Sequence, residues 1–428
     1  MSNLLARLLK KLASAVIWKY RPGIIGVTGS VGKTSTKRAI AVVLGSNRQI
    51  RAAPASLNNE FGVPLTILGE WNSEELALVS KKSAPGGRTL RKIFFWLKVI
   101  VRGAYLIVFS PKSNYPEILI LEYGADRPGD IKYLLSIARP NISVITAVGE
   151  IPVHVEFYAG PEEVAREKAR LIECLPSAGF AVLNYDDARV RDLDNRTRAH
   201  VMTYGFGQGA QVRISGLEHR LKNNAPVGIG FKLSYGGGVV PVKLDGVLSK
   251  SQAYAAAAAA CLGLIFGLNL VKISEALKDY RPAPGRLELK VGVGSSWVID
   301  DSYNASPAAM RAALDTLRIL PGKRKIAVLG DMLELGKYTT QAHSQVGRLV
   351  ARSANILVTI GPAAKFIAEG AKTAGLPKRN IYSFMTAPEA QEPLANLIRR
   401  GDLILVKGSR AMHLEEVVAA LRAAPGIS

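Results

Sequence analysis

Between the apolar pair Ile24-Ile25 and the apolar run Ala39 to Leu44 the chain reads Gly26-Val27-Thr28-Gly29-Ser30-Val31-Gly32-Lys33-Thr34-Ser35-Thr36-Lys37. A glycine-rich turn that opens into a helix lets consecutive backbone N–H groups converge on one anion, and the helix N-terminus adds partial positive charge. The stretch Thr28-Gly29-Ser30-Val31-Gly32-Lys33-Thr34-Ser35 is therefore the expected phosphate cradle, with Lys33 on the terminal phosphates and the Thr34 hydroxyl on Mg²⁺. It departs from the strict spacing, because Val27 stands where the first glycine would be. A carboxylate follows at the end of the apolar run Ile118-Leu119-Ile120-Leu121-Glu122. Ligands of open α/β sheets collect at the C-terminal ends of strands, which puts Glu122 near the cradle as a second Mg²⁺ ligand. His154 and Glu156 lie in the loop after another short strand, Asn141 to Thr146, and Lys168 sits on the helix that follows, from about Pro161 to Leu175. On its own Lys168 reads as a solvated helix lysine.

These residues need a scaffold. At 428 residues, 48% hydrophobic and 21% charged, the chain is a folded globular protein of two or three domains. Strands and helices alternate up to about residue 190, the signature of a mainly parallel, doubly wound sheet. Residues 200–245 are Gly-rich and alternating and read as a small β subsection. An Ala-rich helix runs from Ser251 to Leu262. The Pro/Gly break at Tyr280 to Glu288 marks a domain boundary. Beyond it the alternation restarts, with strands expected at Trp297 to Asp300, Lys325 to Leu329, Ile356 to Ile360 and Leu403 to Val406. The organisation expected is a helix at 1–20, one α/β domain at 21–283 and a second, Rossmann-like one at 284–428.

Two cysteines, Cys174 and Cys261, exclude a disulfide framework and a four-cysteine zinc site, and suit a reducing, cytoplasmic compartment. The net charge is +22, and residues 1–116 hold 18 Lys/Arg against 4 Asp/Glu. A basic end of this kind serves nucleic acid, an anionic membrane or an anionic substrate, and a generally basic proteome gives the same charge with no partner. No nucleic-acid-binding module is present, so nucleic acid is not an expected partner. Residues 1–20 form a basic amphipathic helix that either lies on a membrane or packs on its own domain. Residues 81–115 carry eight cations and no acid around Ile93-Phe94-Phe95-Trp96-Leu97. They read as an interfacial helix with snorkelling cations, at the inner face of the membrane, or as a helical hairpin packed on the sheet.

Taken together the motifs resemble the Mur ligase superfamily of ATP-dependent amide ligases, and within it the MurF type. The residues that carry the resemblance are the phosphate loop, Asn58-Asn59-Glu60, Glu122-x-Gly124, the His154 to Lys168 spacing and Gly285-Arg286-Leu287-Glu288. Further along are Asp300-Asp301-Ser302-Tyr303-Asn304, Gly330-Asp331-Met332-Leu333-Glu334-Leu335-Gly336 and Lys407-Gly408-Ser409-Arg410. The resemblance implies that ATP activates an acceptor carboxylate as an acyl phosphate, which an amine then displaces to form a peptide bond. It implies Thr34 and Glu122 on one Mg²⁺, and Glu122, His154 and a carbamylated Lys168 on a second. Arg286 would neutralise the γ-phosphate, with Asp301, Tyr303 and Asn304 on the nucleotide. Asn58, Asn59 and Glu60, and Lys407, Ser409 and Arg410, would meet the muramoyl-peptide acceptor and the incoming dipeptide or amino acid. Only about twenty residues precede the loop, so an N-terminal UDP-sugar domain is expected to be missing or to come from a partner. A folylpolyglutamate-type ligase, a ligase of a lipid-linked acceptor and a non-catalytic ATP-binding protein remain the alternatives.

Overall fold

The protein is described by a computed structural model covering residues 2–79, 89–222 and 225–422; residues 81–88 of the basic stretch lie outside the described residues. The first sheet contains β1 (Gly23–Thr28), β2 (Ile50–Ala52), β3 (Ile118–Glu122), β4 (Ile142–Ile145), β5 (Phe180–Asn184), β6 (His200–Gly205), β7 (Val212–Lys222), β8 (Ala225–Tyr235) and β9 (Gly238–Asp245). Their order is β2-β3-β1-β4-β5-β6-β7-β8-β9. Pairing is parallel as far as β7 and antiparallel through β8 and β9. The residues expected to form a separate β subsection therefore extend the main sheet. Register does the positioning: Val27 pairs with Glu122 and Thr28 with Ile145, so β1, β3 and β4 end level. The strand order reverses at β1, the place where open α/β sheets leave a crevice.

Helices cover both faces. They are α1 (Ser2–Tyr20), α2 (Lys33–Gly45), α3 (Gly62–Leu68), α4 (Ser73–Val79), α5 (Thr89–Val108), α6 (Asp130–Leu135), α7 (Pro161–Glu173), α8 (Ala188–Arg191), α9 (Lys250–Ile265) and α10 (Leu270–Ala276). On one face Ile40 and Val43 of α2 pack with Ala255 to Ala260 of α9, whose small side chains let the helices approach. On the other, Leu9, Ala13 and Val16 of α1 share a core with Phe95, Val99 and Leu106 of α5 and with Leu119 and Leu121 of β3. The 89–108 stretch is one helix and not a hairpin, and only one of its faces is packed. Its last turn is held by α1: Lys19 Nζ donates to the carbonyls of Leu106, Ile107 and Ser110 at 2.9, 2.9 and 2.7 Å. These are carbonyls that a helix end leaves without intrahelical partners, and a cation suits them.

The second sheet contains β10 (Glu288–Gly292), β11 (Ser296–Asp300), β12 (Lys325–Gly330), β13 (Ile356–Ile360), β14 (Ile381–Phe384) and β15 (Leu403–Lys407), in the order β10-β11-β15-β12-β13-β14. Only β10 is antiparallel. Asp300 pairs with Val406 and Val406 with Val328, so the loops after β11, β15 and β12 leave from one edge. Helices α11 (Pro307–Ile319), α12 (Thr339–Val350), α13 (Lys365–Thr373), α14 (Ala387–Leu397) and α15 (Glu415–Leu421) flank it. The two sheets share a core: Val148 and Val155 after β4 cluster with Leu287, Met310 and Leu335.

Candidate active site

The phosphate loop is fixed from β4. Thr146 Oγ1 donates to Val31 O at 2.6 Å, and Ser30 N–H donates to Ala147 O at 2.6 Å. Gly29, at φ 144°, leaves no room for a side chain, since a Cβ there would lie 2.0 Å from Thr146 Oγ1. Gly32 caps α2 in the left-handed region at φ 91°. Thr28 is buried beneath the loop and donates to Tyr123 O at 2.8 Å, which places it among the supports and off the cavity wall. Lys33 curls back to donate to Gly29 O at 2.6 Å. Burial lowers its ammonium pKa, against the pull of Glu122 and Asp126.

Glu122 is fully buried behind this loop. Its carboxylate takes an ion pair from Lys37 at 2.8 Å and hydrogen bonds from Ser56 Oγ at 2.9 Å and Thr34 Oγ1 at 3.4 Å. Burial alone would raise its pKa, but Lys37, Lys33 and these hydrogen bonds hold it below the ordinary carboxylate value. Neither Lys37 nor Ser56 was anticipated. Lys37 is one helical turn after Lys33, a spacing that puts both on one face of α2; nothing local marks Ser56.

The second sheet completes the site. A cavity of about 300 Å³ is lined by the loop and Thr34 from the first sheet and by Arg286, Asp301, Tyr303, Asn304 and Lys407 from the second, with Asn58, Lys168 and Arg410 at its walls. Arg286 donates to Thr34 Oγ1 at 3.2 Å and lies over the Tyr303 ring, 4.3 Å from its centroid. Its Nε, and Ser30 Oγ, are buried polar atoms with no hydrogen-bond partner among the described residues. Lys407 pairs with Asp301 at 2.6 Å and donates to Asn304 O at 2.8 Å. Burial raises the Asp301 carboxyl, opposed by Lys407. Lys168 is buried, and burial with the repulsion of Lys33 lowers its ammonium to about 7. A second cavity of about 420 Å³ shares Val31, Gly32 and Ser251 with the first and continues past Asn184, Asp187 and Tyr254.

Of the other expected residues His154 lines the cavity, while Asn59, Glu60 and Ser409 stand apart from its wall. The Asn59 carboxamide accepts from Gly62 N–H at 2.9 Å, opening α3, and Glu60 is exposed. Ser409 accepts from Leu333 N–H and donates its own N–H to Asp331 O, so it braces the Asp331–Leu333 loop. His154, at φ 66°, has Nε2 3.3 Å from Asp126 and Nδ1 2.5 Å from Glu334. Asp126 follows Glu122 by four residues, and Glu334 belongs to a motif already singled out, but neither was assigned to His154. His343, a residue type usually found at the surface, is buried: its Nε2 accepts from Met332 N–H at 2.9 Å and its Nδ1 faces Thr339 O at 2.7 Å.

The donor chemistry decides what fits. Two orphan donors, a buried lysine and converging N–H groups suit a polyphosphate. Thr34 and Glu122 are oxygen donors of the kind Mg²⁺ takes, and Mg²⁺ usually completes its shell with phosphate and water oxygens. Among the described residues no group of three or more His, Cys, Asp or Glu side chains forms a metal site. The expected second set is not assembled as the side chains stand, since both ring nitrogens of His154 face Asp126 and Glu334.

Residues 103–262 match the Mur ligase middle domain, and residues 285–410 match the Mur ligase glutamate ligase domain. The chain is 31% identical to the UDP-N-acetylmuramoyl-tripeptide--D-alanyl-D-alanine ligase of Mycobacterium tuberculosis (strain ATCC 25618 / H37Rv), over 96% of this chain and 76% of the relative. It is 29% identical to the ligase of the same name from Bacillus subtilis, over 97% of this chain and 79% of the relative. Among solved structures, the MurF ligase of Thermotoga maritima in complex with ADP aligns with a TM-score of 0.76 and 25% identity, over 97% of this chain and 83% of that one.

Proposed function

The chain belongs to the Mur ligase family, and from that premise we propose that it joins D-alanyl-D-alanine to a muramoyl-tripeptide at the expense of ATP, in the cytoplasm. The observation that carries this reading is the 31% identity, across 96% of the chain, to a ligase of that printed name. The site supports it chemically. Lys33 and the loop N–H groups hold the β- and γ-phosphates, and the nucleoside follows the second cavity past Asn184 and Asp187. Arg286 and the orphan Ser30 hydroxyl add donors where charge develops on the transferred phosphoryl group. Thr34 and Glu122 hold one Mg²⁺, which when bound neutralises phosphate charge. Asp301, Tyr303 and Asn304 meet the nucleotide from the second sheet. Asn58, with Asn59 and Glu60 behind it, and Lys407 and Arg410, braced by Ser409, meet the acceptor and the dipeptide.

Lys168 has a role its type alone does not suggest. A lysine amine lowered to about 7 is half neutral near physiological pH. The neutral nitrogen adds to the carbon of CO₂ and releases a proton, leaving a carbamate anion in place of a cation. That change relieves the repulsion from Lys33.

The test is phosphate release from Mg-ATP, given UDP-MurNAc-tripeptide and D-alanyl-D-alanine together and each alone, with Lys33→Ala as control. Release that needs both substrates and yields a pentapeptide supports the reading. ATP binding without release overturns the assignment of substrates and leaves the nucleotide site standing.

A further inference from the structure

Helix α5 packs one face on α1, α3 and α4 and turns the other outward. The outward face carries Leu90, Ile93, Leu97, Val101, Tyr105 and Val108 at successive spacings of three or four residues, with Phe94 beside Ile93, and each is 48–68% exposed. Such spacing makes a single stripe along a 20-residue helix, about 30 Å long. Phe109 continues it, and Leu4, Leu8 and Trp18 are exposed on the neighbouring α1. A continuous apolar stripe of this size on a soluble surface marks something that covers it.

Charge says what. Arg91, Lys98 and Arg102 run along one edge of the stripe, and Arg7 and Lys11 are exposed on α1. Lys98 is paired with Glu75 at 2.5 Å. The sequence holds no acidic residue before Glu60 and none from position 76 to 116. A second copy of this chain would set like charges against each other, which opposes self-association through this face. An anionic bilayer surface satisfies both parts: acyl chains take the apolar side chains, and headgroup phosphates take the cations. No described helix is long and apolar enough to cross a membrane. We propose that the exposed stripe of α5, with its flanking cations and the adjoining face of α1, docks the protein on anionic phospholipid bilayers, lying in the interface without spanning it. The tilted ring contact between Phe61 and Trp96, 5.8 Å between centroids, joins α5 to the Asn58–Glu60 loop, so docking holds that loop close to the lipid.

The test is flotation of the full chain with vesicles of phosphatidylcholine alone and of phosphatidylcholine with phosphatidylglycerol. The variant Ile93→Ser/Leu97→Ser/Val101→Ser changes only exposed positions, and Arg91→Ala/Arg102→Ala removes two exposed cations with their stems. Recovery with the anionic vesicles, weakened by salt and reduced at least about tenfold by the triple variant, is the expected result. The charge variant should lose binding while keeping its thermal midpoint and its solution mass. Absence of flotation with anionic vesicles overturns the proposal. Binding that the triple variant leaves unchanged also overturns it, as does a stable dimer in solution that the triple variant dissolves.

Discussion

The protein places its positive charge in two settings. At the site Lys37, Lys168 and Lys407 are buried and Lys33 half-buried, with the buried carboxylates Glu122, Asp301 and Glu167 near them. Along α1 and α5, Arg7, Lys11, Arg91 and Arg102 stand in water beside apolar side chains. Burial makes each of the first group individually costly and individually specific: each needs a defined anion, and burial lowers the ammonium pKa of Lys33, Lys37 and Lys168. Exposure makes each of the second cheap and interchangeable, so that only their sum has an effect. In the function proposed above the same residue types recognise one phosphate in the first setting, and in the docking proposed above a whole surface in the second.

That contrast can be broken at either end. The largest effect should come from Lys33→Ala, with phosphate release down about 10³-fold, and from Arg286→Ala, down about 10²–10³-fold; both are read by phosphate detection in single-turnover reactions. Arg286→Lys should restore little, because a lysine lacks the planar fork that bonds Thr34 while stacking on Tyr303. Glu122→Gln leaves Lys37 without its carboxylate and should cost about 3–5 kcal/mol in urea unfolding. A cost near zero would show that the pair is not ionised.

A smaller effect is pH-dependent. Lys168 keeps its proton up to about 10.5 when unfolded and only to about 7 when folded. Between those values unfolding takes up a proton, so stability rises with pH. Lys168→Met removes the burdened ammonium, so it should be more stable than the parent near pH 7, and the gap should narrow as pH climbs toward 10.5. A gap constant with pH would contradict this environment for Lys168. Least of all, Arg91→Ala/Arg102→Ala should change stability by no more than about 0.5 kcal/mol and leave phosphate release intact. A loss as large as that of Glu122→Gln would mean that these exposed cations are structural, and the contrast would fail.

Much of the scaffold was readable from pattern. The strands at 118–122 and 356–360 are apolar runs, the first ending on Glu122 and the second broken by Gly361-Pro362, and burial on both faces writes itself into composition. The phosphate loop was readable because Gly29 and Gly32 answer to backbone geometry that few other residues tolerate. Partnerships across the fold were not. Ser56 meets Glu122 and Asp126 meets His154 because strand order brings their loops together, and no local rule encodes strand order. The 81–115 stretch offered docking and packing as rival accounts; its helix at 89–108 buries one face and leaves another open, as a helix apolar on most of its circumference can, so packing does not use up the face that docking would need.

The contacts of Lys19 with Leu106, Ile107 and Ser110 bear on the order in which the molecule is made. They span 87 to 91 residues, which a ribosome working at about 5–20 residues per second covers in roughly 4–18 s. All of their partners nevertheless precede in the chain both Glu122 and Thr146, which pins the phosphate loop. The clamp that orients α5 is therefore available to the nascent chain ahead of the pocket, which waits for Arg286, Asp301 and Lys407, so that translation delivers the paired N-terminal helices first and the completed cavity last.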